Sequence, residues 1–234
     1  MRAIVIPVKE FSEAKQRLAP HFSSADRTAL AEAMCADFFE VVAAVRCVER
    51  VFVVSNEPQA LSWAHQRGWE TISESRQISE SDSVDGASQY CVAQGVTVLL
   101  RLPIDLPLAQ PQDIEAIFEQ LGPAPAAVLV PSGDGTGTNA LLRTPPGLFP
   151  SRFGSNSFAL HLAEAKRCGA SVCVLRNERL ELDIDELEDL RKLSNRLRAG
   201  SATARWAMQH GLSNLGGGAA LADFSAEGRG SAGR

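Results

Sequence analysis

The sequence predicts an α/β domain with a mostly parallel central sheet covered by helices. Strand-like and helix-like segments alternate along nearly the whole chain, and two apolar runs lead directly into aspartates. The 234 residues, 45% hydrophobic and 22% charged, are enough for one domain with a full core.

The elements follow in order. Residues 3–8 read as the first strand. Ser23, Ser24 and Asp26 supply N-cap chemistry for a long amphipathic helix over 25–45, with Leu30, Met34, Phe38, Val41 and Val42 on its apolar stripe. Residues 50–55 give a second strand, 57–67 a helix stopped by Gly68, 69–72 a third strand, and 83–94 a helix closed by Gly95. The apolar run 96–104 is the next strand and ends at Asp105. Pro111 opens a helix that reaches 121. A strand over 126–130 runs into the loop Ser132-Gly133-Asp134-Gly135-Thr136-Gly137-Thr138-Asn139. A short strand over 139–143 is broken by Thr144-Pro145-Pro146-Gly147, and 155–168 is a helix opened by a Gly-Ser-Asn-Ser turn. Strands over 171–176 and 180–183 complete the sheet, followed by a helix over 186–198. From 211 to 234 the composition turns to Gly, Ala and Ser, which predicts a disordered tail beyond a single domain of residues 1–210.

Composition narrows the function. No apolar run approaches the length of a membrane span, and the N-terminus reads as a strand rather than a leader, so a cytoplasmic protein is expected. Net charge is −5 and no segment clusters Lys and Arg, which argues against nucleic acid as a partner. Cys35, Cys47, Cys91, Cys168 and Cys173 form no C-x-x-C pair, and His21, His65, His161 and His210 show no metal-binding spacing. Both sets are expected to be structural.

The acidic residues carry the chemistry. Asp105, Asp183 and Asp185 are expected at the carboxyl ends of strands, where open α/β sheets bind ligands. An i, i+2 pair on an extended chain points one way, so Asp183 and Asp185 can share a divalent cation while Leu182 and Ile184 face the core. The ordinary alternative is that Asp183 or Asp185 caps the helix beginning at Glu186. Lys9, Lys15 and Arg17 sit in the loop after the first strand, where such folds receive phosphates; a solvated basic loop is the plain alternative. Three glycines with Thr136 and Thr138 let backbone amides and hydroxyls approach an anion. Exposed amides with the Ser155 and Ser157 hydroxyls at a helix start make an anion site, against simple capping by Ser155, and Thr138, Gly154 and Ser157 together suit a second phosphate. Other motifs fail: Ser132 stands where a haloacid-dehalogenase nucleophile would be, the Gly135-Gly137 pair opens no helix of the dinucleotide-binding kind, and no P-loop run occurs.

Taken together, Pro7-Val8-Lys9, Ala14-Lys15-Gln16-Arg17-Leu18, Asp105-Leu106-Pro107-Leu108, the segment from Asp134 to Leu142, Phe153-Gly154-Ser155-Asn156-Ser157-Phe158 and the segment from Asp183 to Leu190 resemble the CofC/FbiD guanylyltransferases of coenzyme F-420 biosynthesis, relatives of GT-A-type nucleotidyltransferases. The resemblance implies a GT-A-like fold and a homodimer. It implies Mg2+ on Asp105, Asp183 and Asp185, and GTP phosphates near Lys9, Lys15 and Arg17. It also implies an acceptor phosphate on Thr138, Gly154 and Ser157. The acceptor would be 2-phospholactate, phosphoenolpyruvate or 3-phosphoglycerate. Relatives usually carry a Leu-Asn pair at the start of the helix that approaches the base. This chain reads Ser83-Val84-Asp85-Gly86-Ala87 instead, with Asp85 and Gly86 offered to guanine and Asp85 able to accept from its N1 and N2 donors.

The mechanism expected is in-line attack by an acceptor phosphate oxygen on the α-phosphorus of GTP, with Lys15, Arg17 and Asp105 closest to the chemistry. A GT-A-like glycosyltransferase and a non-catalytic nucleotide-binding module stand as alternatives.

Overall fold

Alternation along the first strand sets the architecture. In β1 (Arg2–Val8), Ile4, Ile6 and Val8 pack into one apolar cluster and Ala3 and Val5 into another, so the strand is covered on both faces. The computed structural model describes residues 1–76, 78–193 and 196–212. Among these the chain forms seven strands, with β2 (Arg50–Ser55), β3 (Glu70–Ser73), β4 (Val98–Arg101), β5 (Ala126–Pro131), β6 (Thr138–Thr144) and β7 (Ser171–Val174) following β1. The sheet order is β3-β2-β1-β4-β6-β5-β7. Only β6 runs against its neighbours, pairing antiparallel with β4 and β5.

Seven α-helices of the described residues surround the sheet: α1 (Ser24–Ala43), α2 (Pro58–Gln66), α3 (Glu80–Ala93), α4 (Pro111–Glu119), α5 (Ser157–Arg167), α6 (Leu187–Leu193) and α7 (Ala202–Gln209). Phe38, Phe39 and Val42 of α1 and Ile114, Ile117 and Phe118 of α4 fill one face, while Ala87 and Cys91 of α3 fill the other. α1 begins where the sequence predicts, because Ser23 and Asp26 make a reciprocal capping box. No helix of the described residues is long and apolar enough to cross a membrane.

Three expectations are corrected. α3 starts at Glu80 rather than 83, because the Ser79 side chain accepts the Asp82 amide and nucleates an earlier turn. β4 stops at Arg101, so Asp105 lies four residues beyond the strand. Residues 180–183 are not a strand: the Asn139 side-chain amide takes the carbonyls of Leu180 and Glu181, and the Gly133 amide also takes that of Glu181. The segment's polar groups are thus satisfied from the side, and Leu180 anchors it in the core. The sequence reading assigns no element to α7, which packs onto α1. Its Trp206 and Ala207 join Leu212 in a cluster with Leu30 and Met34 of α1. Residues 213–234, most of the predicted tail, lie outside the described residues.

Candidate active site

β6 decides where the site forms. Because it runs opposite to β4 and β5, its first residue, Thr138, arrives at the edge where those strands finish and where the loop after β1 begins. A cleft of about 1000 Å³ opens there, lined on one side by Lys9, Lys15, Arg17, Asp105, Asp183 and Asp185, and on the other by Thr138, Gly154 and Ser157.

Lys15 is the hub of the first wall. Its Nζ donates to Asp105 Oδ2 at 2.6 Å, to Asp185 Oδ1 at 3.3 Å and to the Ile184 carbonyl, with only 7% of the side chain exposed. Arg17 Nη1 reaches the other oxygen of Asp185 at 3.1 Å. Burial alone would push the Lys15 pKa down, yet the Asp105 and Asp185 carboxylates outweigh it and hold it above the ordinary lysine value. The same contacts overcome the burial of Asp105 and keep its carboxyl below the ordinary range. Lys15 achieves this from a left-handed backbone conformation, φ 53°, an unfavourable setting for a side-chain-bearing residue that tertiary contacts must maintain.

Asp183 is different. Among the described residues no cation is bonded to it; its Oδ1 accepts from Asn139 Nδ2 at 3.1 Å. Burial pushes its pKa up to about 6, and the nearby charges of Asp105 and Asp185 add to the shift. Neither Asp183 nor Asp185 caps α6: Asp189 does, its Oδ2 accepting the amides of Asp185 and Glu186 at 3.1 and 2.9 Å. The three aspartates therefore line one cleft, but not as a ready chelate. Among the described residues no three His, Cys, Asp or Glu side chains are gathered to hold a metal ion, because the Lys15 ammonium stands between Asp105 and Asp185. Their carboxylates remain the hard oxygen donors that Mg2+ takes, and Mg2+ commonly needs only one or two of them beside substrate phosphates.

The second wall carries a pair of linked hydroxyls. The Arg152 amide donates to His161 Nε2 at 2.8 Å, which makes Nε2 the bare nitrogen and leaves Nδ1–H to donate to Thr138 Oγ1 at 3.0 Å. Ser157 Oγ lies 3.3 Å from the same oxygen. With His161 and the Ser157 hydroxyl both donating to Thr138 Oγ1, the Thr138 hydroxyl hydrogen is left to point onward. Ser155 is not the cap of α5: Asn156 occupies that position and makes no side-chain cap bond. The amides of Ser157 and Phe158 are taken by the Gly154 and Thr136 carbonyls. Gly154 sits at φ 116°, open only to glycine, and Gly137 passes so close to Ser132 that a Cβ would lie 2.8 Å from its hydroxyl. Asp134 clamps this turn through Ser132 and Thr136, which pull its pKa down to about 2.

Asp85 and Gly86 do not line the cleft. The Asp85 carboxylate accepts the Ser151 amide at 3.1 and 3.0 Å and lies 3.6 Å from the buried Arg143, so it is committed to holding the 151 turn rather than offered to a base.

A family model described as guanylyl transferase CofC like matches residues 1–203. The chain belongs to this family. A phosphoenolpyruvate guanylyltransferase of Rubrobacter xylanophilus is 37% identical over 191 residues, covering 81% of this chain and 91% of the relative. A 2-phospho-L-lactate guanylyltransferase of Methanothermobacter thermautotrophicus is 32% identical, covering 80% and 81%. Among solved structures, a putative nucleotide-diphospho-sugar transferase from Desulfovibrio desulfuricans superposes with a TM-score of 0.73 at 15% identity, over 91% of this chain and 96% of the other, a likeness of fold.

Within this CofC-like chain the sequence reading passed over three side chains. Asn139 pins the acidic loop, His161 orients Thr138, and Arg101 is buried at the end of β4 beside both walls. Only Arg101 left a visible trace, as a charge inside the apolar run 96–104.

Proposed function

We propose that this chain transfers GMP from GTP to the phosphate of a three-carbon phosphorylated carboxylic acid. An oxygen of the acceptor phosphate bonds to the α-phosphorus, the bond from that phosphorus to the bridging oxygen of the β-phosphate breaks, and pyrophosphate leaves with the electron pair. The observation that carries this reading is the pairing, across one cleft, of a cation–carboxylate wall with a hydroxyl cradle. A cleft for one nucleotide alone has no use for the second anion site.

The acceptor phosphate is itself the nucleophile, so no general base is required, and rate enhancement comes from placement and charge neutralisation. Thr138 and Ser157 hold that phosphate through their hydroxyls while Gly154 gives it room. Lys15, Arg17 and Lys9 face the triphosphate, Lys15 as a compact charge and Arg17 through its fork. Mg2+, when bound, would rest on Asp105, Asp183 and Asp185 and supply neutralisation of phosphate charge. Asn139 keeps the Asp183 carboxylate turned into the cleft. A sugar-transferring reading loses ground to the relatives' names, which are all guanylyltransferases.

Incubation with GTP, Mg2+ and each of phosphoenolpyruvate, 2-phospho-L-lactate and 3-phospho-D-glycerate, followed by mass spectrometry, tests the proposal. A guanylated acid with stoichiometric pyrophosphate is expected from at least one. No adduct with any of the three contradicts it.

A further inference from the structure

The cleft contains one strong cation that the transfer mechanism leaves unused. Arg101 ends β4 with 5% exposure, its guanidinium lying on the Phe153 ring at 4.1 Å from the centroid. Nη1 donates to the carbonyls of Thr138 and Asn139 at 3.2 and 3.3 Å, Nη2 donates to Glu80, and Nε has no partner. Burial lowers its pKa to about 10, which leaves it charged near neutrality. Thr138 therefore links two features: its hydroxyl belongs to the cradle and its carbonyl to Arg101.

We propose that Arg101 binds the carboxylate of the acceptor acid, with Glu80 occupying that carboxylate's place while the site is empty. The inference rests on the proposed acceptor site. Such an acceptor carries two anionic groups a few ångströms apart, and Thr138 and Ser157 provide for only one. A guanidinium is suited to the second because its planar fork accepts a carboxylate on two N–H groups. The Phe153 face and the two carbonyls pre-set its plane, so little ordering is needed on binding. Glu80 is more exposed than Arg101, at 28% of its side chain, and begins α3 from the cleft rim, so it can withdraw while Arg101 stays. The acid thus replaces one carboxylate by another, and phospho-alcohols of the same length are refused because they leave the Arg101–Glu80 pair intact.

The measurement is the ratio between the KM of the acceptor acid and the Ki of glycerol 3-phosphate, which carries a hydroxymethyl group where 3-phosphoglycerate carries its carboxylate. Glu80→Gln removes the competitor and should widen the acid's advantage about threefold or more, an improvement that a purely structural role for the pair does not produce. Arg101→Met should shrink that advantage about tenfold, the usual loss for a hydrogen bond to a charged group, with the KM for GTP little changed. A ratio unchanged in Glu80→Gln overturns the proposal even if Arg101→Met misfolds. Wild-type protein that guanylates none of the three acids overturns the acceptor reading and this inference with it, whereas normal turnover with an unmoved ratio overturns this inference alone.

Discussion

Removing the Lys15 ammonium leaves the half-buried Asp105 beside Asp183 with no cation at bonding distance. Lys15→Met should therefore cost about 2 kcal/mol in urea unfolding, less than the penalty of stranding one member of a fully buried pair. The double variant Lys15→Met with Asp105→Asn should recover most of that stability, because an amide replaces the stranded charge, yet remain inactive. Failure of the double variant to recover would mean that Lys15 stabilises through packing. Asp105→Ala and Asp183→Ala should each lower pyrophosphate release by about a hundredfold or more while the protein stays folded, as expected when charge neutralisation in a pre-formed site is lost. His161 offers a readout on stability. Burial, reinforced by the positive charges of Arg143, Arg101 and Arg152 and opposed by Glu164, lowers its pKa from the ordinary 6.5 to about 3. The unfolded chain therefore binds a proton that the folded chain refuses between those two values, and stability falls as pH drops through that window. Thermal unfolding of His161→Phe should show a shallower loss between pH 6.5 and 4 than the wild type; parallel curves would remove the assignment.

At the scale of elements, α7 is held by chemistry that can be counted. Both carboxylate oxygens of Asp37 on α1 accept amides of its first turn, Ala202 and Thr203, each at 2.8 Å, and Ser201 caps it through the Ala204 amide. Asp37→Ala should destabilise the protein by about 1–2 kcal/mol in urea unfolding without changing the KM for either substrate. This helix also shows where the sequence was mute. Its eight residues, Ala-Thr-Ala-Arg-Trp-Ala-Met-Gln, form a short helix of low overall hydrophobicity, and beside the local Ser201 cap its first turn is held by Asp37, 165 positions before Ala202. β1, β2, β5 and α1 were legible because buried parallel strands read as apolar runs and Ser23 with Asp26 announces a helix start. The segment 180–183 misled for the same reason: Leu180 and Ile184 are core residues, so the run reads as a strand, while the partner that satisfies its carbonyls is a side chain on β6. The convergence of Asp105, Asp183 and Asp185 could be anticipated from their positions after apolar runs. That Lys15 would stand between two of them could not, since it depends on a left-handed turn at Lys15 itself. The acceptor capacity of Asp85 is visible in the sequence, whereas its contacts with Ser151 and Arg143 are not.

For the whole molecule, the antiparallel insertion of β6 between β4 and β5 organises function. It turns a Gly- and Thr-rich loop back to the sheet edge that carries the acidic loop and the basic loop, and so sets a cation–carboxylate wall opposite a hydroxyl wall in one cleft. Under the proposed function one wall activates the nucleotide and the other holds the acceptor. Steady-state kinetics of Ser157→Ala with both substrates varied test that division most directly. The KM for the acid should rise about tenfold, as for loss of a hydrogen bond to a charged group, while the KM for GTP stays within about twofold. Equal rises in both constants, or no rise in either, would contradict it.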